Sequence, residues 1–276
     1  MSHVPTVALN NGTEIPQLGF GVFQVPDDET AVAVAHALDA GYRSVDTAAI
    51  YGNETGVGRA LAASGIPRDE LFVTTKLWNA DQGYDSTLRA FDDSLAKLGL
   101  DHVDLYLIHW PTPARDLYVD TWKAIETLVA DGRVRTAGVS NFQPAHLQRL
   151  LDSSDLVPAV NQIELHPALQ QRELRELHAV HSIATEAWSP LAQGAVLADP
   201  VIAAIAARHG KSPAQVVLRW HLQLGNVVIP KSVTPRRIRA NIDVFDPAFV
   251  LSDDEMRSIE RLDRGLRTGP DPDTLN

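Results

Sequence analysis

Asp46, Tyr51, Lys76 and His109 are the residues of this chain whose types could together deliver a proton to a carbonyl oxygen. A free tyrosine ionises near about 10, too high to exchange protons well near neutrality, and a neighbouring ammonium lowers that value by stabilising phenolate. Lys76 suits that task, and Asp46 suits the task of holding Lys76 charged and oriented. His109 is placed to donate a hydrogen bond to a substrate carbonyl or to help pass a proton to Tyr51. Such a set polarises an aldehyde or ketone and protonates its oxygen. It supplies no hydride, so a reduction built on it requires a cofactor.

Each of these side chains follows a short apolar run. Within Gly41 to Glu54, residues 42–45 read as a strand, Asp46 closes it and Tyr51 lies in the loop beyond. Lys76 ends a β-branched run over 71–76, and His109 follows 103–108. Ser140 and Asn141 follow 134–139, Gln162 ends 159–162, Trp188 and Ser189 follow 183–188, and Lys231 and Ser232 follow 226–229. Singly these are unremarkable, since a lysine after a strand is usually solvated and a lone histidine is usually a hydrogen-bonded filler. Their convergence on the same end of successive strands is the signal. Counted from Gln17, the chain offers eight strands. Helical segments over 28–40, 54–64, 85–98, 117–130, 144–151, 171–181, 201–209, 213–224 and 235–242 alternate with them. This predicts an α/β fold, a (β/α)8 TIM barrel in one domain over 1–276, with chemistry at the C-terminal ends of its strands. Asn11-Gly12 between apolar runs predicts an N-terminal β-hairpin, and 253–262, capped by Ser252, an extra C-terminal helix. Asp27 or Asp28 is expected to cap the first helix and Asn53 the second. An open doubly wound sheet would carry Gly-x-Gly-x-x-Gly after an early strand. Here Gly56-Val57-Gly58 falls inside a helix and lacks the third glycine. Gly210-Lys211-Ser212 resembles the end of a phosphate loop, but the required earlier glycine is Ile205.

Hydrophobic residues make up 45% of the 276, enough for a large core. No run approaches the roughly 18 apolar residues of a membrane span, and Met1 to Val7 lacks the pattern of a signal peptide. The absence of cysteine excludes disulfides and thiolate chemistry. A net charge of −11 disfavours nucleic acid and anionic membrane as partners. A cytoplasmic protein is expected. Ten histidines raise a metal-dependent hydrolase as an alternative, but His109 and His166 lack paired His-x-His spacing and no metal is expected.

Seven stretches carry a family likeness: Gly19-Phe20-Gly21, Gly41 to Gly52, Thr74 to Trp78, Asp104 to Pro111, Gly138 to Phe142, Asn161-Gln162 and Ile229 to Ser232. In this order, over nearly the whole chain, they resemble the aldo-keto reductases, in particular small bacterial members such as the diketogluconate reductases. The resemblance implies a (β/α)8 barrel that binds NADPH without a Rossmann motif and reduces small-molecule carbonyls, including α-dicarbonyls or sugar ketones. It implies Tyr51 as general acid, Asp46 and Lys76 as partners that tune it, and His109 as the group orienting the carbonyl. Ser140, Asn141 and Gln162 would bond the nicotinamide carboxamide, and Trp188, where many members have tyrosine, would stack on its ring. Gly21, Val22, Ser189 and Leu191 would line the cofactor, the last two near its pyrophosphate. Lys231, Ser232 and Arg237 would hold the 2′-phosphate and Asn241 the adenine, with Val233 and Thr234 in the same cofactor-binding stretch. Arg236 and Arg239 would be solvated, and Ala240 departs from a glutamate common there. Phe23, Trp78 and Trp110, beside Val22, would shape the substrate pocket. The short segment 110–116 and the short tail after Leu262 imply an open pocket and broad carbonyl scope, and the family implies a monomer. A redox-sensing regulatory subunit on the same fold, like the channel-associated relatives, is the alternative function.

Overall fold

The computed structural model describes residues 4–276. Two short strands, β1 (Thr6–Ala8) and β2 (Glu14–Pro16), pair antiparallel as the Asn11-Gly12 turn predicts. Eight parallel strands follow: β3 (Phe20–Gly21), β4 (Ser44–Asp46), β5 (Phe72–Leu77), β6 (Val103–Ile108), β7 (Val134–Ser140), β8 (Val160–Glu164), β9 (Ala184–Trp188) and β10 (Val227–Val228), each paired with the next. The two ends meet. Leu18 bridges Val228 in parallel, the Gly19 amide donates to the Val228 carbonyl at 2.8 Å, and the Val228 amide to that of Gln17 at 3.0 Å. The sheet is therefore a closed (β/α)8 barrel.

The first, second, third, fourth, fifth and sixth barrel strands lead into α1 (Asp27–Ala40), α2 (Glu54–Ala63), α3 (Tyr84–Leu98), α4 (Tyr118–Ala130), α5 (Pro144–Leu151) and α6 (Arg172–Val180). After β9 come α7 (Pro200–His209) and α8 (Pro213–Gln223); after β10 come α9 (Pro235–Ile242) and α10 (Asp253–Glu260). Glu255 joins α10 to Arg208 and His209 of α7. Gly210-Lys211-Ser212 is a helix junction: Gly210 ends α7 in the left-handed region at φ 60°, and Ser212 and Gln215 form a capping box on α8. Ser252 caps α10 as expected. Two other expected caps are corrected. Pro26, not Asp27 or Asp28, precedes α1, and Asp27 accepts instead from the Gly56 amide of α2 at 2.6 Å. Asn53 stands at the start of α2 but gives its amide hydrogens to the carbonyls of Val22 and Val25. Among the described residues no helix is long and apolar enough to cross a membrane.

Strand side chains alternate between faces. Val73, Tyr106, Ile108, Val139, Ile163 and Ala187 turn outward to the helices. Phe72, Leu105, Leu107, Val160 and Val227 turn inward and pack on Leu9 and Ile15, so the hairpin plugs the N-terminal end of the barrel. Carrying the inward parity toward the other end reaches Asp46, Lys76, His109, Ser140, Gln162 and Glu186. The apolar floor thus gives way to a polar layer beneath the C-terminal mouth.

The paired glycines of α2 serve packing. A Cβ on Gly58 would lie 2.4 Å from the Leu98 carbonyl oxygen at the end of α3, and one on Gly56 would lie 2.6 Å from that of Asp27. Gly58→Ala is expected to destabilise the fold by about 1–3 kcal/mol through overpacking, read as a lower urea midpoint. An unchanged midpoint would show that α2 and α3 can part without cost.

Candidate active site

The polar layer centres on a buried ion pair. Lys76 is 0% exposed, and its Nζ donates to Asp46 Oδ1 at 2.6 Å and to the Thr47 carbonyl at 3.0 Å. Tyr51 closes a one-turn helix over Ala49–Tyr51 that Gly52 stops in the left-handed region. This turn carries the phenol back over the strand end, with Nζ of Lys76 at 5.1 Å from the ring centroid. The His109 ring meets the Tyr51 ring edge-on at 5.7 Å. Asp46, Tyr51, Lys76 and His109, from separate segments, thus meet at the mouth.

Their protonation follows from burial and charge. Burial raises the Tyr51 hydroxyl, the Lys76 ammonium works against this, and Asp46 adds to the rise; the net is a phenol above 10. Lys76 thus pulls Tyr51 down as expected, but desolvation, which the residue types do not show, is larger and sets the net direction. Burial also opposes the charge on Lys76, but Asp46 and Tyr51 together outweigh it and hold Lys76 above its ordinary value. Burial, then the Lys76 charge, pushes His109 well below its usual range, so its imidazole is neutral. His109 Nδ1 is buried without a partner, which leaves Nε2 to meet a ligand.

Beside this group, three amide and hydroxyl side chains form a ladder. Ser140 Oγ donates to the Gln162 carbonyl at 2.8 Å. Asn141, at φ 65°, gives its two amide hydrogens to the His109 carbonyl at 2.9 Å and to Ser140 Oγ at 3.1 Å. Its Oδ1 accepts from Trp188 Nε1 at 2.8 Å, so the indole is pinned at the mouth. Gln162 gives both hydrogens to oxygens of two acids, Asp46 Oδ2 and Glu186 Oε2, each at 2.9 Å. The donors of this trio are spent, and what remains for a ligand are oxygen lone pairs. A primary carboxamide, which brings N–H donors, fits such a set.

Around the mouth stand aromatic rings. Phe23, 54% exposed, lies 5.0 Å from the Tyr51 ring, Trp78 meets His109 at 5.4 Å, and Trp110 bridges His109 and Trp188 at 6.3 and 6.4 Å. Gly21 pairs with Asp46 across β3 and β4, and a Cβ there would lie 3.0 Å from the Ile229 carbonyl oxygen. Val22 is buried beneath. Of nine non-glycine residues with positive φ among those described, all but Ser182 lie in loops that follow barrel strands, Ser189 among them. Backbone strain is thus concentrated at the mouth. Leu191 follows Ser189 and is partly buried.

A second group lies on the rim beyond β10. Lys231, Val233, Thr234 and Arg237 are exposed and Ser232 and Asn241 buried, around the start of α9. Among the described residues Lys231, Arg236, Arg237 and Arg239 form no ion pair, although the chain is strongly acidic. Unpaired cations at a helix start suit a phosphate. No hydrogen bond joins this group to the Tyr51 cluster among the described residues. Nor do three His, Asp or Glu side chains gather there as a metal-holding set.

Two features were not legible from strand ends alone. Glu186 stands two residues before Trp188 and Glu164 two after Gln162, both inward by parity. Burial pushes the Glu164 carboxyl up, but hydrogen bonds from His166, Thr268 and the Gly269 amide outweigh it and hold it below its ordinary value. Glu164 Oε1 accepts from the Thr268 amide and hydroxyl at 2.6 Å, and a Cβ on Gly269 would lie 2.4 Å from Trp188. The tail after Leu262, although short, is fastened over the mouth, and Asn276 Oδ1 accepts from the Ala114 amide at 2.8 Å. The sequence pattern of period two could have found both acids.

Comparison with known proteins supplies the remaining observation. Residues 16–264 match the model of the Aldo/keto reductase family. The chain is 61% identical over 272 residues to an aldo-keto reductase of Mycobacterium sp. (strain KMS), covering 99% of this chain and 98% of that protein. It is 54% identical over 277 residues to the methylglyoxal reductase DkgA of Yersinia pestis, covering 100% and 99%. Among solved structures, a variant of Gox0644 in complex with NADPH superposes with a TM-score of 0.95 at 52% identity, over 100% of both chains.

Proposed function

The chain belongs to the aldo/keto reductase family, and from this premise we propose how its own residues carry out the reaction. It is an NADPH-dependent reductase acting on small-molecule carbonyl compounds. When bound, NADPH supplies a hydride to the carbonyl carbon. The chain supplies the proton and the charge around it. Tyr51 gives its hydroxyl proton to the carbonyl oxygen and regains one from solvent, giving an alcohol. Lys76 steadies the developing phenolate, and Asp46 keeps Lys76 charged in place. Neutral His109 donates from Nε2 to the same carbonyl oxygen and fixes its direction. The observation that carries this reading is the fully buried Lys76–Asp46 pair set against the Tyr51 ring beside a neutral imidazole. Burial keeps the Tyr51 phenol protonated through the neutral range, and the Lys76 ammonium opposes that rise by favouring the phenolate that forms as the proton leaves.

For the cofactor, the acceptor oxygens of Ser140, Asn141 and Gln162 would take the carboxamide and the pinned Trp188 ring would face the nicotinamide. Gly21, Val22, Ser189 and Leu191 would line the groove. Lys231, Ser232 and Arg237 would hold the 2′-phosphate and Asn241 the adenine, with Val233 and Thr234 beside them in the cofactor-binding stretch. Arg237→Ala is expected to raise KM for NADPH by about 10- to 100-fold, the size of one or two charged hydrogen bonds, with little change for NADH. Steady-state kinetics with both cofactors test this, and an unchanged NADPH preference would remove Arg237 from the phosphate site.

The substrates proposed are α-dicarbonyls and sugar ketones, admitted past Phe23, Trp78 and Trp110. The aromatic mouth and the likeness to methylglyoxal reductases support this choice. We place the protein in the cytoplasm as a monomeric, one-domain reductase with no nucleic-acid or membrane partner, in keeping with its acidic surface. NADPH consumption measured against methylglyoxal, sugar ketones, diketones and simple aldehydes tests the reading. Absence of turnover across the panel would sink it.

A further inference from the structure

Glu186 is a buried acid that none of the chemistry above uses. It is 1% exposed and lies on β9, with Gln162 opposite it on β8 and Val227 on β10. Its Oε2 accepts one hydrogen of Gln162 Nε2 at 2.9 Å, while Asp46 Oδ2 accepts from the same nitrogen at 2.9 Å. Asp46 Oδ1 in turn holds Lys76 at 2.6 Å. A chain of hydrogen bonds therefore runs from Glu186 through Gln162 and Asp46 to Lys76, whose Nζ stands 5.1 Å from the centroid of the Tyr51 ring.

We propose that Glu186 is a positioning residue for proton delivery: through Gln162 it fixes the ligand-facing oxygen of that amide, and through its own charge it sets the acidity of Tyr51. The proposal rests on Tyr51 being the proton donor. The first role follows from counting hydrogens. An amide has two, and two acids placed on either side take both. Flipping Gln162 would point its oxygen at the Asp46 carboxylate, which only accepts, so Oε1 is held away from it as an acceptor.

The second role follows from charge. The titratable groups that act on Glu186 are Asp46 from β4 and Lys76 from β5, and Glu186 acts on Tyr51 in the turn after β4. Val227 on β10 carries none, Glu164 lies one inward position further along β8, and His109 follows β6. Burial, then the Asp46 charge, pushes the Glu186 carboxyl up to about 8, against the pull of Gln162 and Lys76. In neutral solution Glu186 is therefore protonated. Above that point it adds a negative charge to the layer, which opposes phenolate and makes Tyr51 a weaker acid. Hydride transfer should then fall in two steps as pH rises. The first is a partial drop of about 3- to 10-fold near 8, and the second comes where Tyr51 itself ionises.

The test is the pH profile of single-turnover hydride transfer in wild type, Glu186→Gln and Glu186→Asp. It is joined by an absorbance titration of the phenol in the cofactor-free protein, with Tyr51→Phe as the subtraction. Glu186→Gln should lose the first step and shift the Tyr51 titration to lower pH. Glu186→Asp should keep the step but move it. A profile and a phenol titration unchanged in Glu186→Gln would overturn the proposal. If that variant does not fold, an unmoved first step in Glu186→Asp would do so. Full activity in Tyr51→Phe would instead overturn the reading of Tyr51, so the two failures are distinguishable.

Discussion

Replacing Tyr51 with phenylalanine is expected to lower kcat by about 100- to 10,000-fold, the range general acid catalysis supplies. The change removes one oxygen and keeps the ring that packs against Phe23 and His109. Folding should be nearly unaffected, and NADPH affinity should stay within a few-fold, because the phenol touches neither the rim cations nor the Ser140–Asn141–Gln162 ladder. Stopped-flow measurement of the hydride step, with cofactor affinity followed by fluorescence quenching of Trp188 and its neighbours, separates these effects. A variant that binds NADPH but turns over at more than a tenth of the wild-type rate would mean that another group delivers the proton. His109 would then be the first to examine, although its buried, neutral imidazole makes it a poor acid.

Lys76→Met should damage both stability and activity. The ammonium is wholly buried, and its removal leaves Asp46 with a charge that only Gln162 still contacts. Breaking such a pair costs about 3–5 kcal/mol, much of it the penalty of stranding the survivor. Urea unfolding should show the loss in neutral buffer. The sign with pH follows from Lys76 being held above its ordinary value. Its contribution is complete below the unfolded-state value and is lost only as pH rises through the raised folded-state value. The double variant Lys76→Met with Asp46→Leu should recover part of the stability, since two apolar side chains strand no charge, and should recover none of the activity. Restored turnover in the double variant would remove the ion pair from the chemistry.

The barrel was legible because strand and helix patterns alternate through the chain, with one doubled helix before the last strand, and no Rossmann glycines compete. The polar ends of strands were legible because polar or ionisable residues follow successive apolar strands at the same end, a repetition that no single aspartate, lysine or histidine supplies. Reading only the last residue of each strand hid Glu186 and Glu164, which obey the same inward parity one step away. Local caps were the weaker guide. Asp27 and Asn53 have the right type beside a helix start, but tertiary partners claim their side chains. The pull of Lys76 on Tyr51 was legible because charge proximity is readable from residue types, whereas the larger desolvation depends on what packs around the hydroxyl. The tail was undervalued because its anchor, Glu164, lies more than a hundred residues earlier in the chain.

The placement of the last residue bears on how the protein is handled. Asn276 is held against Ala114 at the rim of the opening, whereas the hairpin sits at the far end of the barrel. An affinity tag fused after Asn276 would hang over the entrance and pull on the segment bolted to Glu164. A tag ahead of the hairpin would leave from the opposite pole. Purified material carrying the two fusions should therefore not be treated as interchangeable when substrates are ranked.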